Sequence, residues 1–430
     1  MSSTKHLLEL QRDTLGYFLY ETNLGNGLVP DNTRYGAAAS IAAVGLGLAC
    51  YPVAVERGIL RRADGAARVL ATLRFLRKSP QGRNPDVTGY KGFYYHFLDM
   101  RSGRRAGRCE ISTIDTAILL AGGLTAAAYF DSDRADEREI RETAEFLYRR
   151  ANWQWALNDG HGVTHGWYPG MGFIPYRWTG YNEAWILYVL AMASPTHPVP
   201  AAANYAAWIS TFEWKKLYGF GFLYGGPLFL HQLSHIWIDF HGIQDPYMRS
   251  RAIDYFENSR RATYVQQAYA AANPRKFSGY GPLSWGITAS DGPGDFVRQI
   301  RGVRRRFYSY RARGVPWGPD DGTLSPWAVV ASLPFAPEIV LPTMANFEAK
   351  HPEMRNQYGF MCSLNPTVPV PGQKGGWVAK GYYGLDQGPV ILMIENALSG
   401  LVWRLMRNCP HIVSGLRRAG FSGGWLDQER

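Results

Sequence analysis

Cysteine is scarce in this 430-residue chain. Cys50, Cys109, Cys362 and Cys409 lie far apart and form no CxxC pair, which excludes a zinc ribbon or a disulfide framework and leaves reduced thiols as the expectation. Acid is short relative to base: 35 Asp and Glu stand against 46 Lys and Arg, a formal charge of +11. A nucleic-acid reader would gather that excess into a footprint with a recognisable motif. Here the arginines are scattered in pairs such as Arg61-Arg62, Arg149-Arg150 and Arg260-Arg261, and the densest run, residues 301–306, reads as a solvated segment. No nucleic-acid partner is expected.

Long apolar runs are also missing. Residues 37–55 carry no charge and are long enough to be tested as a membrane span, but Ala and Gly dominate them and Tyr51-Pro52 interrupts them. They resemble a close-packed helix inside a globule, so no membrane insertion is expected. The amino terminus is an amphipathic helix with charges throughout and lacks the apolar stretch of a secretory signal. As given, the chain is expected in the cytoplasm, or in the periplasm if an engineered start has removed a leader.

No Ser/Gly linker and no low-complexity tract divides the chain, so a single domain over residues 1–430 is the economical reading. The 46% hydrophobic content is ample for a large core. Helical periodicity runs over residues 5–21, 36–57, 64–78, 112–130, 135–150, 183–193, 200–212, 246–272, 335–350 and 386–407. Aromatic stretches at residues 92–97 and 218–224 read as short hairpin strands, too few for a sheet domain. This αα succession with long loops predicts an all-α fold, an (α/α)6 toroid of helical hairpins with a few short β-hairpins in the rim loops.

Aromatic residues are abundant, 14% of the chain with 14 Trp and 26 Tyr. Flat rings with polar tips suit a sugar cleft as well as a core. Two carboxylates stand at helix entrances. Glu110 precedes Ser112-Thr113-Ile114-Asp115, whose S-x-x-D spacing is that of a capping box and gives Asp115 a structural explanation; Glu110, ahead of the cap, adds nothing obvious to the helix. Glu183 follows Asn182, a possible cap. The helix dipole would lower its pKa and aromatic burial would raise it, two effects that oppose one another. Glycoside hydrolysis needs a carboxyl group to protonate the leaving oxygen and another to act as base or nucleophile, and Glu110 with Glu183 supply such a pair.

The surrounding loops offer Trp167, Arg177, Trp178 and Tyr181 for holding sugar rings and hydroxyls, with His235, Trp285 and Tyr382 further along. His231 and His235 are spaced i, i+4, but position 232 is Gln, so the HExxH pattern of a zinc site lacks its Glu. The loops at 291–295 and 317–323 lack the twelve-residue ligand pattern of an EF-hand and read as turns. No metal and no cofactor is expected.

Seven strings carry a family resemblance: CEISTIDTAILLAG, GYNEAWILYVLAMASPTHP, PLFLHQLSHIWIDF, ENSRRATYVQQAYA, WGITASDGPG, GVPWGPDDGTLSPWAVVASLPFAPEIVLPT and GYYGLDQGPVILMIENALSGLVWRLMR. Together they resemble the glucoamylase-like domain of glycoside hydrolase family 144, from about Leu28 to Leu426. The resemblance implies an (α/α)6 toroid and metal-free endo-hydrolysis of β-1,2-glucan to sophorooligosaccharides. It implies Glu183 as general acid, Glu110 as its catalytic partner and Asp115 in support. Related toroids transfer rather than hydrolyse, so a β-1,2-glucan transglycosylase is the alternative. A non-catalytic glucan-binding protein, or a lyase using Tyr181 or His235 on a uronic acid, comes after it. Oligomeric state is not legible.

Overall fold

The computed structural model describes residues 3–373 and 375–428. Helices form most of it: α1 (Ser3–Tyr20), α2 (Ile41–Glu56), α3 (Arg62–Lys78), α4 (Thr113–Tyr129), α5 (Ala135–Arg150), α6 (Trp153–Ala156), α7 (Trp185–Ala193) and α8 (Ala201–Ile209) in the first half. The second half adds α9 (Pro246–Arg251), α10 (Tyr255–Ala272), α11 (Pro326–Val330), α12 (Pro337–Lys350), α13 (Gly384–Leu398), α14 (Leu401–Arg407) and α15 (Pro410–Arg418). A helix-rich chain with short hairpins is as expected. Among the described residues no single helix is long and apolar enough to cross a membrane.

Burial sorts the helices into two layers. An inner wall runs α13, α2, α4, α7 in space, each packed against the next, while α1, α3, α5 and α15 cover α13, α2, α4 and α7 from outside. The inner helices are apolar nearly all round: all but two residues of α2 are buried, as are all nine of α7. The outer helices bury one stripe, such as Ala66, Val69, Leu70, Leu73 and Leu76 of α3, the spacing of a surface helix. Charged side chains pair between α3 and α5, Arg62 with the buried Glu137 at 2.8 Å and Arg74 with Glu139 at the surface.

Glycine sets how closely the inner wall packs. A Cβ on Gly45 of α2 would stand 2.5 Å from the Ile118 carbonyl oxygen of α4, and one on Gly122 of α4 would stand 1.9 Å from the Gly45 carbonyl oxygen. The two backbones therefore touch, which explains why residues 37–55 combine high apolarity with so much Ala and Gly. Serine starts both helices: Ser40 and Ser112 lie in extended backbone, and their hydroxyls accept from the N–H groups of Ala43 and Asp115, satisfying orphan donors of the first turn. Each serine ends a two-residue strand, Ala39–Ser40 or Ile111–Ser112.

The structure departs from the helix reading at two places. Residues 246–272 break at Ala252 in the left-handed region, where Asp254 caps a new helix. Residues 386–407 bend by 84° between α13 and α14, with Gly400 in the same region. Helix α15 and the hairpin Phe296–Ile300 with Val303–Phe307 were not expected at all. The strands also gather further than two hairpins: Gly89–Tyr90, Phe93–Tyr95, Ile111–Ser112, Gly166–Tyr168 and Gly172–Phe173 form one antiparallel five-stranded sheet. One continuous hydrophobic core reaches from Leu7 to Leu426.

Candidate active site

The amino-terminal ends of the inner helices converge on a cavity of about 560 Å3. Ser40 and Ala42 of α2, Ser112, Ile114 and Asp115 of α4, Glu183 ahead of α7, Trp327 of α11 and Leu385 and Asp386 of α13 all line it. Helix starts present unpaired N–H groups and the positive end of the helix dipole, so a site built from them tolerates carboxylates. Six are present: Asp31, Glu110, Asp115, Glu183, Asp291 and Asp386.

Glu110 sits one residue before the strand Ile111–Ser112. Its Oε1 lies 2.8 Å from His96 Nδ1, and the Tyr168 hydroxyl donates to its Oε2 at 3.4 Å. Burial works to raise its pKa, but the hydrogen bond and charge of His96 lower it below the usual value. His96 is clamped from the other side as well, with Nε2 at 3.5 Å from Asp115 Oδ2. Burial opposes its charge; Asp115, Glu110 and Asp31 outweigh burial and raise its pKa to about 9. A charged imidazole thus bridges two of the three sequence-predicted carboxylates.

Glu183 has the opposite environment. Burial pushes its pKa up to about 7, and the charge of Asp115 adds to the rise. No cation compensates it among the described residues. The chain around it is fixed by distant groups: Ser234 Oγ donates to the Glu183 carbonyl at 2.6 Å and accepts from Ile186 N–H at 3.0 Å, capping α7 from outside, while Asn182 Oδ1 accepts from Ala184 N–H at 3.0 Å. The helix therefore begins two residues after Glu183, and burial outweighs the dipole. On Asp115, the capping interaction from Ser112 to its N–H is present at 3.2 Å, yet its carboxylate faces the cavity, so the two explanations coexist.

Of the sequence-predicted sugar-binding residues, Trp178 lines the cavity, its indole N–H donating to Thr113 Oγ1 at 3.0 Å and its face stacked on His165 at 4.0 Å. The others lie outside its lining. Arg177 spends its guanidinium on the carbonyls of Leu157 and Gly162. Trp167 packs against Tyr90 and Trp155; strand alternation puts its neighbour Tyr168 on the face of Glu110. Tyr382 packs against Tyr358, and its neighbour Tyr383 lines the cavity, donating to Asp291 at 3.2 Å. Tyr181 stacks on Tyr255, His235 is buried against Phe240 and Phe335 with Ser259 at 2.9 Å, and Trp285 is fully buried with its N–H on Thr343 at 2.8 Å. These three rings are core.

Sequence reasoning missed Asp31, Arg34, His96, Asp291, Tyr310, Tyr383 and Asp386. Arg34 pairs with Asp291 across the cavity wall. Asp386 is buried and its carboxyl is held well above the usual range by that burial, beside the Cys362 thiol. The signal available for Asp386 was the one that marked Asp115: an acid in the first turn of a helix otherwise apolar. Asp31 and Asp291 sat in turn sequences, where Asp has a local reason to be.

An acid-lined cavity at the capped ends of a buried helical wall defines the class: a two-layered helical protein whose site sets carboxyl groups with raised and lowered pKa values side by side. Within that class, the chain belongs to the Glycoamylase family, described as "Putative glucoamylase", whose model matches residues 175–410. The resemblance read from the sequence strings is thereby borne out. The chain is 27% identical over 453 aligned positions to an exo β-1,2-glucooligosaccharide sophorohydrolase (non-reducing end) of Parabacteroides distasonis, covering 97% of this chain and 58% of that protein. The chain thus spans a little over half the length of that curated relative. Among solved structures, a "putative glucoamylase" from Bacteroides uniformis superposes with a TM-score of 0.87 at 30% identity, covering 99% of both chains. An endo-β-1,2-glucanase from Chitinophaga pinensis, in complex with sophorotriose and glucose, superposes with a TM-score of 0.87 at 25% identity, covering 99% of this chain and 100% of that one.

Proposed function

We propose that the chain is a glycoside hydrolase of β-1,2-glucan, folded as one (α/α)6 toroidal domain, with Glu183 as general acid and Glu110 as its ionised partner. The observation that carries this reading is the division of protonation within one cavity: burial keeps Glu183 protonated up to about pH 7, while His96 holds Glu110 below the usual carboxylate range. Carboxyl pairs pushed apart in this way separate acid from base. Protonated Glu183 donates to the leaving glycosidic oxygen; Glu110 serves as base toward water or as nucleophile. Asp115, bridged to Glu110 through His96, keeps the imidazole charged. Trp178 and Tyr383 offer a ring face and a hydroxyl to the sugar. The two-layered helix arrangement and the names of the matched proteins support the toroid and the β-1,2 linkage.

The test is digestion of linear β-1,2-glucan alongside β-1,3-, β-1,6- and α-linked glucans. A ladder of sophorooligosaccharides from the β-1,2 polymer alone is expected, and sophorose as the sole product would replace endo by exo cleavage. NMR of the anomer first released, with and without added acceptor, separates water attack from glucosyl transfer. Glu183→Gln is expected to abolish turnover while retaining sophorotriose binding; unchanged turnover in that variant would refute the assignment.

A further inference from the structure

The segment between Asp295 and Asp320 contains seven arginines and no acid. Two are used inside the fold: Arg313 is fully buried on Asp321 at 2.7 Å, and Arg305 donates to the carbonyls of Arg275 and Lys276 at 3.0 and 2.9 Å. Arg298, Arg301, Arg304, Arg306 and Arg311 are exposed. The nearest acid, Asp295, accepts from the Ser309 hydroxyl, a bond that holds its pKa down, with the charges of Arg311 and Arg306 adding to the effect.

The ribbon's register makes the charge more costly. Arg298 stands directly opposite Arg305, and like charges in cross-strand positions destabilise a pair. Arg306 and Arg311 both pack on the same ring, Tyr308, at 5.5 and 5.0 Å from its centroid, a cation–π contact that leaves their N–H groups free to donate. The ribbon leads directly into the cavity wall: Arg311 pairs with Ser290, flanked by Ala289 and Asp291, and all of Ala289, Asp291 and Tyr310 line the cavity. A neutral glucan offers these guanidinium groups nothing to pair with. The two cations of the cavity lining are already paired with acids, Arg34 with Asp291 and His96 with Glu110 and Asp115, so a negative group on the chain finds free guanidinium groups outside the cavity, on the ribbon.

We propose that this arginine ribbon is a binding subsite for anionic ester substituents of the glucan, so that the enzyme accepts an unsubstituted unit in the cavity and prefers a polymer bearing carboxylate or phosphate esters beyond it. This rests on the glucan reading of the cavity. The experiment compares kcat/KM on linear β-1,2-glucan, untreated and sparsely succinylated with succinic anhydride, for the unaltered chain and the triple variant Arg304→Gln, Arg306→Gln, Arg311→Gln. At low salt the unaltered chain is expected to favour the succinylated polymer about tenfold through KM, in the range of a few charge-assisted contacts, and high salt should erase the difference. The triple variant should cleave both polymers at the unaltered chain's rate on the neutral one. Equal cleavage of both polymers by the unaltered chain would overturn the proposal, as would a preference that survives in the triple variant. A triple variant that loses only affinity for a single-stranded polynucleotide would overturn it in favour of a nucleic-acid surface. Failure to cleave even the untreated polymer would instead remove the glucan reading itself.

Discussion

Glu183 and His96 both have raised pKa values, the first because burial penalises its charge and the second because neighbouring carboxylates favour its charge, so stability falls with rising pH through both, in different windows. Glu183 is raised from 4.5 to about 7 by burial, so the native state binds more protons than the unfolded chain between those values, and stability falls as pH rises through that window. Glu183→Gln removes this cost. Urea melts above pH 7 should find the Glu183→Gln variant more stable by on the order of 1–3 kcal/mol, with the difference vanishing below pH 4. In the proposed general-acid role the same raised pKa predicts the basic limb of the pH–rate profile: kcat should fall as pH rises past about 7, since the leaving oxygen needs a proton. His96, raised from 6.5 to about 9 by Asp115, Glu110 and Asp31 against the effect of burial, contributes stability that is present below pH 6.5 and lost as pH rises through 9. Replacing it as His96→Gln removes the charge that keeps Glu110 ionised. The acid limb of kcat should then move to higher pH; an acid limb that stays in place would show that His96 does not set the Glu110 titration.

At the scale of helices, what was legible followed from local chemistry. Serine before an apolar run located the start of α4 to within a residue, because a cap is a contact between neighbours in sequence; for α2 the uncharged residues ahead of Ser40 carried the helical reading back to residue 36, five residues before the helix begins at Ile41. The breaks at Ala252 and Gly400 were not legible as such: both lie between segments that continue the helical pattern, and at Gly400 the two halves pack on different neighbours, α13 on α2 and α1, α14 on α4 and α15. Site residues show the same division. Glu110, Asp115 and Glu183 are legible because each stands at a helix entrance, whereas the expected Trp167 and Tyr382 lie one residue away from Tyr168, which reaches Glu110, and Tyr383, which lines the cavity. A one-residue step reverses the face of an extended segment, and composition alone cannot fix that phase. The glycine contact between α2 and α4 gives a test at this scale. Gly122→Ala places a methyl 1.9 Å from the Gly45 carbonyl oxygen, forcing the two backbones apart, and should cost about 2 kcal/mol or more in a denaturant melt. Gly123→Ala, whose nearest neighbours would be side-chain carbons at 3.8 and 4.0 Å, should gain about 0.5–1 kcal/mol from helix propensity. Equal stabilities for the two variants would mean that the helices do not meet at their backbones.

Over the whole molecule, the two ends of the chain are tied to its first inner helix by one buried carboxylate. Glu395 of α13, 1% exposed, accepts from Arg57 at the end of α2 through two hydrogen bonds of 2.8 and 2.9 Å, from Gln11 of α1 at 3.0 Å and from the Ser399 hydroxyl at the bend into α14 at 2.6 Å. The amino-terminal helix therefore packs against a helix some 380 residues away, and no part of the inner wall is bounded by local contacts alone. Closure of this kind predicts unfolding as a unit, the behaviour expected of a single domain over residues 1–430. Arg57→Met leaves a buried carboxylate without its cation, and losses of about 3–5 kcal/mol are typical of that change. Calorimetry should show one endotherm for the unaltered chain and one, at lower temperature, for Arg57→Met. Adding Glu395→Leu to Arg57→Met should recover most of the loss, because the penalty lies in the unpaired charge and not in the missing pair. Two separate endotherms in the single variant, the carboxy-terminal helices melting apart from the rest, would show that Glu395 joins two domains and would divide the chain where the sequence shows no boundary.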